Sequence, residues 1–227
     1  MRRPSDTKNF SYLTSALVGI LVVGALIETV PGGWSNLVLQ VLSVILLLIA
    51  SNSLHTLNAR FPWGYLVIGL MIISATARYF ILAAWLDASF VILLLVFFQA
   101  AFWTVSRNVL LTGSIDTDKI IGSVAMYLLL GLSWSALYSL VLIVDAGAIA
   151  GIPSQSWADN FADTTYFSFV TITTLGYGDL LPVNEFVRVI AYLEAVTGVF
   201  FMAIVVASLI NKSVGDSTHK KHDSFID

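Results

Sequence analysis

Between residues 171 and 179 the chain reads Thr-Ile-Thr-Thr-Leu-Gly-Tyr-Gly-Asp, two glycines separated by Tyr177 and preceded by hydroxyl side chains. The chemistry this composition offers is non-covalent: rings of main-chain carbonyls that replace the water around a dehydrating cation. Carbonyls aimed the same way at successive residues need a backbone that alternates between left- and right-handed conformations, and Gly176 and Gly178 take the left-handed ones at little steric cost. The plain alternative is a glycine-rich turn outside the membrane. Covalent chemistry has no comparable cluster. Cysteine is absent, which excludes disulfides, thiolate nucleophiles and cysteine-ligated metals. His55, His219 and His222 form no triad or ligand spacing with Asp or Glu, and His55, near the end of an apolar run, reads as interfacial. The chain is therefore read as a non-enzyme without a cofactor.

Such a segment has to be held at membrane depth, and the rest of the chain suits that task. Of 227 residues 58% are hydrophobic and only 11% charged, with a mean hydropathy of +0.89. The matching solvent is a bilayer. A net charge of −3, with no basic run longer than Lys220-Lys221, gives no footprint for nucleic acid. Six apolar runs are long enough to span, at 10–30, 36–57, 63–85, 88–106, 120–144 and 186–210. Pro31-Gly32-Gly33 stops the first, Leu86-Asp87 turns the third into the fourth, and Arg107-Asn108 closes the fourth. The first run exceeds a signal-peptide core and no cleavage pattern follows it, so it reads as a retained span.

With the N-terminus inside, nine Lys and Arg residues fall on the cytoplasmic side, against Arg78 and Arg188 near the outer side. The expected architecture is an all-α multi-pass protein of the cell membrane with both termini cytoplasmic. Its expected parts are an N-terminus at 1–9, a four-helix domain at 10–111, a linker at 112–119, a pore domain at 120–211 and a short tail at 212–227.

Between the fifth and sixth runs, Ser156-Trp157-Ala158-Asp159 fits a capping box, which predicts a helix over 157–171. At about 1.5 Å per residue it extends roughly 22 Å, short of a core of roughly 30 Å. A helix that enters only part-way, followed by irregular backbone, is tolerated where protein or a water-filled cavity surrounds it. Such a segment predicts a pore.

The run 171–179 resembles the potassium channel signature T-x-x-T-x-G-Y-G-D, met at Thr171, Thr174, Gly176, Tyr177, Gly178 and Asp179. The resemblance extends over roughly 120–210 through Leu180-Leu181-Pro182, Arg188 and Gly198, while the first four runs resemble the family only in number. It implies a re-entrant pore helix and a selectivity filter of Thr174, Leu175, Gly176, Tyr177 and Gly178. Potassium would be held by the carbonyls of Thr174, Leu175, Gly176 and Tyr177 and by the Thr174 hydroxyl. Support would come from Val170, Thr171, Thr173 and an aromatic cuff of Tyr166, Phe167 and Trp157 around Tyr177, with Asp179 either at the outer mouth or merely in a solvated turn. One filter segment per chain implies a homotetramer, three identical subunits joining this one in membrane lipid. Two positions depart from the family pattern: Leu175 stands where Val or Ile is usual, and Tyr166-Phe167 where many members carry a Trp pair.

Other residues keep two readings. Gly198 is a gating hinge, as the family uses it, or a close-packing residue. Glu194 is an intramembrane acid, a functional-site candidate or, as preferred, a structural residue in the outer half, protonated or hydrogen-bonded behind the filter. Glu28, Arg78 and Asp87 either pair in the outer leaflet or reach headgroups, and snorkelling is preferred for Arg78 and for Arg188. The fourth run, 88–106, carries no Lys or Arg, so no charge ladder drives steep voltage gating, and the first four spans read as a collar. The sequence thus predicts a passive potassium channel. A weakly selective cation channel and a non-conducting membrane sensor or partner subunit are the alternatives.

Overall fold

The apolar runs become helices because a chain at membrane depth must satisfy its backbone hydrogen bonds internally. The computed structural model describes residues 9–27, 35–57, 63–81, 84–111, 117–153 and 156–223. In order they form α1 (Asn9–Ile27), α2 (Ser35–Leu57), α3 (Trp63–Phe80), α4 (Ala84–Leu111), α5 (Thr117–Val144), β1 (Ile149–Ala150), α6 (Phe161–Ile172), β2 (Leu181–Pro182) and α7 (Glu185–Asp223). Among the described residues, Ala84–Leu110, Asp118–Val144 and Glu185–Val205 are helical, long and apolar enough to cross a membrane. Phe10–Leu26, Gln40–Leu54 and Gly64–Arg78 are apolar but shorter.

Several boundaries differ from the sequence expectation. The turn expected at Leu86-Asp87 lies five residues earlier, after Phe80, and both residues belong to the first turn of α4. There Asp87 complements the positive N-terminal end of the helix and pairs with Arg78 at 2.9 Å. Arg78 therefore makes an ion pair rather than snorkelling. The Ser74 and Ser89 hydroxyl oxygens lie 2.7 Å apart and 3.0 and 2.8 Å from the Leu86 carbonyl, so their two hydrogens serve a three-oxygen cluster that closes the α3–α4 junction. Arg107-Asn108 does not end α4, because the Asn108 amide donates to the Thr104 carbonyl at 2.8 Å and the helix continues to Leu111. Thr117, Asp118 and Lys119, expected in the linker, open α5, and α7 runs on through Lys212 to Asp223. Pro31-Gly32-Gly33, Glu28 and 112–116 lie outside the described residues.

One core runs through the first five helices. Leu13 and Leu17 of α1, Leu47 and Leu54 of α2, Phe97 and Phe98 of α4, and Met126 and Leu129 of α5 are buried in one cluster with Trp157 and Phe161. The first four helices and the segment leading into α6 thus share packing within a single chain, with α5 against α1, α4, α6 and α7. In lipid that contact stabilises through van der Waals fit rather than through exclusion of water. A second cluster, including Tyr138, Leu142, Ile149, Phe167, Val187 and Ile190, joins α5, α6 and α7 at the other end.

At that end β1 and β2 pair antiparallel, Ile149 opposite Pro182 and Ala150 opposite Leu181, and the Val183 amide donates to the Ala148 carbonyl at 2.9 Å. Gly151 follows at φ +95°, where a Cβ would lie 2.6 Å from Leu180 and 2.9 Å from the Asp179 carbonyl. Only glycine allows that approach. Asn184 starts α7: its side-chain oxygen accepts from the Val187 amide at 2.8 Å, while its amide donates to Asp145 at 2.9 Å.

Candidate functional site

The helix before the glycine segment is shorter than expected. Ser156 and Asp159 are hydrogen-bonded, hydroxyl to carboxylate at 2.6 Å, but residues 157–160 form turns and α6 starts at Phe161. The Asn160 side chain donates instead to the Pro153 carbonyl at 2.9 Å. Twelve residues of α6 extend about 18 Å, short of a core of about 30 Å.

After Ile172 the backbone leaves helical geometry within two residues. Thr174 has φ +57°, Gly176 φ +58° and Gly178 φ +79°, while Leu175 and Tyr177 between them stay in ordinary right-handed or extended regions. Left-handed residues alternate with ordinary ones along 174–178. Such alternation turns successive carbonyls toward one side, which a strand, whose carbonyls alternate between its two edges, cannot do. Thr174 takes the left-handed conformation despite its Cβ, an uncommon arrangement for a β-branched residue. Part of the compensation is local: the Thr174 amide donates to the Thr171 carbonyl at 2.9 Å, and the Val170 carbonyl accepts from the amides of Leu175 and Gly176 at 2.9 and 3.3 Å. The Thr173 hydroxyl donates to the Phe169 carbonyl at 2.6 Å. The C-terminal turn of α6 is thereby stitched to the start of the glycine segment. Its partial negative charge favours a cation nearby.

Every residue from Thr173 to Asp179 is exposed in the single chain, Leu175 at 56% and Tyr177 at 68%. The Tyr177 ring stacks on Tyr166 with centroids 6.5 Å apart and planes within 6°. Tyr166 donates its hydroxyl to Asp179 at 2.7 Å. That bond holds the Asp179 carboxyl below its ordinary value. Phe167 does not join this group. It is buried, edge-on to Tyr138 at 4.8 Å. Trp157 lies elsewhere again, its indole N–H donating to Asp87 at 3.0 Å and its ring 4.9 Å from Phe90. The expected three-residue cuff is thus, within one chain, Tyr166 alone. Phe167 points into the module, and Trp157 docks the pore segment onto α4.

Behind α6 the structure shows polar contacts that sequence reasoning did not connect. Glu194 is fully buried, with Tyr138 at 2.6 Å from one carboxyl oxygen and Ser168 at 2.6 Å from the other. Ser135 and Ser139 of α5 share hydrogen bonds with Thr164 and Thr165 of α6 at 2.9 to 3.3 Å. The Tyr127 hydroxyl donates to the Ile172 carbonyl at 3.3 Å. A readable signal existed: Tyr127, Gly131, Ser135 and Ser139 recur every fourth residue in an otherwise apolar helix, which places them on one face. Gly198 packs directly on this unit, since a Cβ there would overlap the Ile172 carbonyl oxygen. The close-packing reading of Gly198 thus has a contact behind it.

Among the described residues no three His, Asp or Glu side chains gather as a metal site.

Comparison with known proteins bears on this same part of the chain. Residues 123–214, from early α5 into α7, match a family model described as an ion channel. This stretch is similar to an ion channel domain. With three helices suited to crossing a membrane, the match supports a membrane protein that passes ions without covalent chemistry. No curated protein and no solved structure matches the chain.

Proposed function

We propose that the chain is one quarter of a potassium-selective channel in which Thr174, Leu175, Gly176 and Tyr177 of four copies surround the ion path. The observation that carries this reading is the alternation of left-handed φ at Thr174, Gly176 and Gly178, directly beyond the end of a helix too short to span. That backbone presents consecutive carbonyls to one side, and a symmetric ring of them substitutes for potassium's hydration shell. Four Asp179 carboxylates would raise the local cation concentration at one mouth. The six-span topology with both termini cytoplasmic belongs to the same proposal, as does Gly198 acting as a hinge in α7. Conduction is passive, and opening is not steeply voltage-dependent.

Purified protein in liposomes tests the reading. A potassium gradient should generate a potential close to the potassium equilibrium value, with sodium contributing little. Near-equal potassium and sodium permeability would instead establish a weakly selective cation channel, the reading that Leu175 in place of a β-branched residue favours. No flux under any voltage, tension, pH or lipid composition would point to a non-conducting subunit.

A further inference from the structure

The hydrogens around Glu194 can be counted. Ser168 has one hydroxyl hydrogen, yet its oxygen lies 2.8 Å from the Gly131 carbonyl and 2.6 Å from a Glu194 carboxyl oxygen. A carbonyl cannot donate, so the Ser168 hydrogen belongs on the contact to Gly131. The contact to Glu194 then needs a hydrogen from the acid itself. With an ionised carboxylate, one of these two short buried oxygen–oxygen contacts would hold no hydrogen and would be repulsive. The other Glu194 oxygen accepts from the Tyr138 hydroxyl at 2.6 Å. With a neutral acid all three contacts are satisfied, in one direction, from Tyr138 through Glu194 and Ser168 to the Gly131 carbonyl.

The surroundings agree with that count. Glu194 is 0% exposed, and among the described residues no Lys or Arg forms an ion pair with it. From α5 it faces the hydroxyls of Tyr138 and, farther off, Tyr127, and from α6 the hydroxyl of Ser168. On its own helix Glu185 and Arg188 pair with each other in the first turn at 3.0 Å. An unpaired buried carboxylate there would cost several kcal/mol.

We propose that Glu194 is a positioning residue that works as a neutral carboxylic acid, passing a one-way hydrogen-bond chain between α5, α7 and α6 and so fixing the helix that carries the filter. The geometry of attachment is regular. Glu194 meets Ser168, and four residues on Gly198 meets Ile172, so equal steps along α7 and α6 stay in register. Between those two points on α6 lies Val170, whose carbonyl holds the amides of Leu175 and Gly176. Displacing Ser168 therefore displaces the start of the glycine segment.

Glu194→Gln is the discriminating variant, because a neutral amide can accept from Tyr138 at oxygen and donate to Ser168 at nitrogen. Two measurements on the full-length protein in liposomes separate the parts of the proposal. Infrared difference spectra of wild type against Glu194→Gln at neutral pH should show a carboxylic-acid C=O band that the variant loses. A carboxylate band in its place would overturn the assignment, whether or not the protein conducts. The flux measurement rests on the proposed ion conduction. Glu194→Gln should stay within about twofold of wild type while Glu194→Ala falls by about tenfold or more, as expected when buried partners are stranded. Raising the pH until the acid band converts to carboxylate should lower wild-type flux and leave Glu194→Gln unchanged. A Gln variant as impaired as Ala, or with the same alkaline loss as wild type, would refute the positioning role. If Glu194→Ala does not assemble, the Gln spectra and pH profile still decide. Wild-type protein that passes no ions would instead defeat the channel reading and leave the infrared result standing.

Discussion

Gly178 sits at φ +79° with nothing within 4 Å of where a Cβ would be in the single chain, so the backbone alone demands glycine there. A left-handed L-residue costs about 1–2 kcal/mol, and four copies would carry that cost together. Gly178→Ala should therefore abolish potassium flux while the oligomer, measured by cross-linking in detergent, stays intact. Wild-type flux in this variant would remove Gly178 from the ion path. At Tyr166 the expectation concerns pH. The Tyr166 hydroxyl favours ionised Asp179, so the carboxyl titrates below its ordinary value and the folded outer mouth binds fewer protons than the free chain. The stabilisation is complete above the ordinary carboxylate value and is lost as pH falls through the depressed one. Tyr166→Phe removes the donor, so Asp179 should titrate at higher pH and acid inactivation of flux should begin at higher pH than in wild type. Superimposable acid limbs would mean that this hydrogen bond has no part in holding the mouth.

At the scale of elements, the polar contact between the first four helices and the segment ahead of α6 is small and specific, set beside the apolar core they share. Arg78 at the end of α3 pairs with Asp87 in α4, and Asp87 also accepts from the Trp157 indole just ahead of α6. Both ionic side chains are about one-fifth exposed, 20% and 17%, so the pair is only partly screened. Trp157→Phe keeps the packing on Phe90 and loses the hydrogen bond, which should cost about 1 kcal/mol. Asp87→Ala strands both Arg78 and the indole and should cost about 2–3 kcal/mol. Denaturant unfolding of the detergent-solubilised protein checks both. Equal, negligible losses would show that the α4–pore junction is held by apolar packing alone. The junction also explains one expectation that the structure corrected. In sequence, Leu86-Asp87 reads as a turn because an acid interrupts an apolar run. In the fold its partners Arg78 and Trp157, from two other segments, make that acid a favourable first-turn residue of α4.

At the scale of the whole molecule, α7 carries large apolar side chains that are exposed in the single chain. Phe186, Tyr192, Val199 and Phe200 of α7 are exposed at 56–62%, and the adjoining glycine segment is exposed throughout. Lipid can cover α7, but the polar backbone of 173–179 needs water, ions or other protein. Cross-linking of the purified protein should give a ladder ending at four copies, and a species that never exceeds one or two would defeat the ring of carbonyls. In α4 the basic side chain is Arg107, near the C-terminal end, with none from 84 to 106. One charge crossing the whole field couples only about 2.3 kcal/mol per 100 mV, so conductance should rise shallowly with voltage.

Composition and local pattern were enough to place the helices, because backbone groups in an apolar run have few other ways to be satisfied at membrane depth. The left-handed positions at Gly176 and Gly178 were legible for a similar reason: two glycines one residue apart mark backbone conformations that other residues rarely adopt. Thr174 at φ +57° was not readable, since nothing in a threonine announces a left-handed conformation that hydrogen bonds from α6 help to hold. Nor did the sequence decide which aromatic residues share a face. Tyr166 and Phe167 are neighbours in the chain but meet different partners, one Tyr177 and the other Tyr138. Trp157, Ser168 and Ile172, which meet Asp87, Glu194 and Gly198, lie 26 to 70 residues from them along the chain. Only tertiary packing brings such groups together, and with them the proton on which the contacts of Glu194 depend.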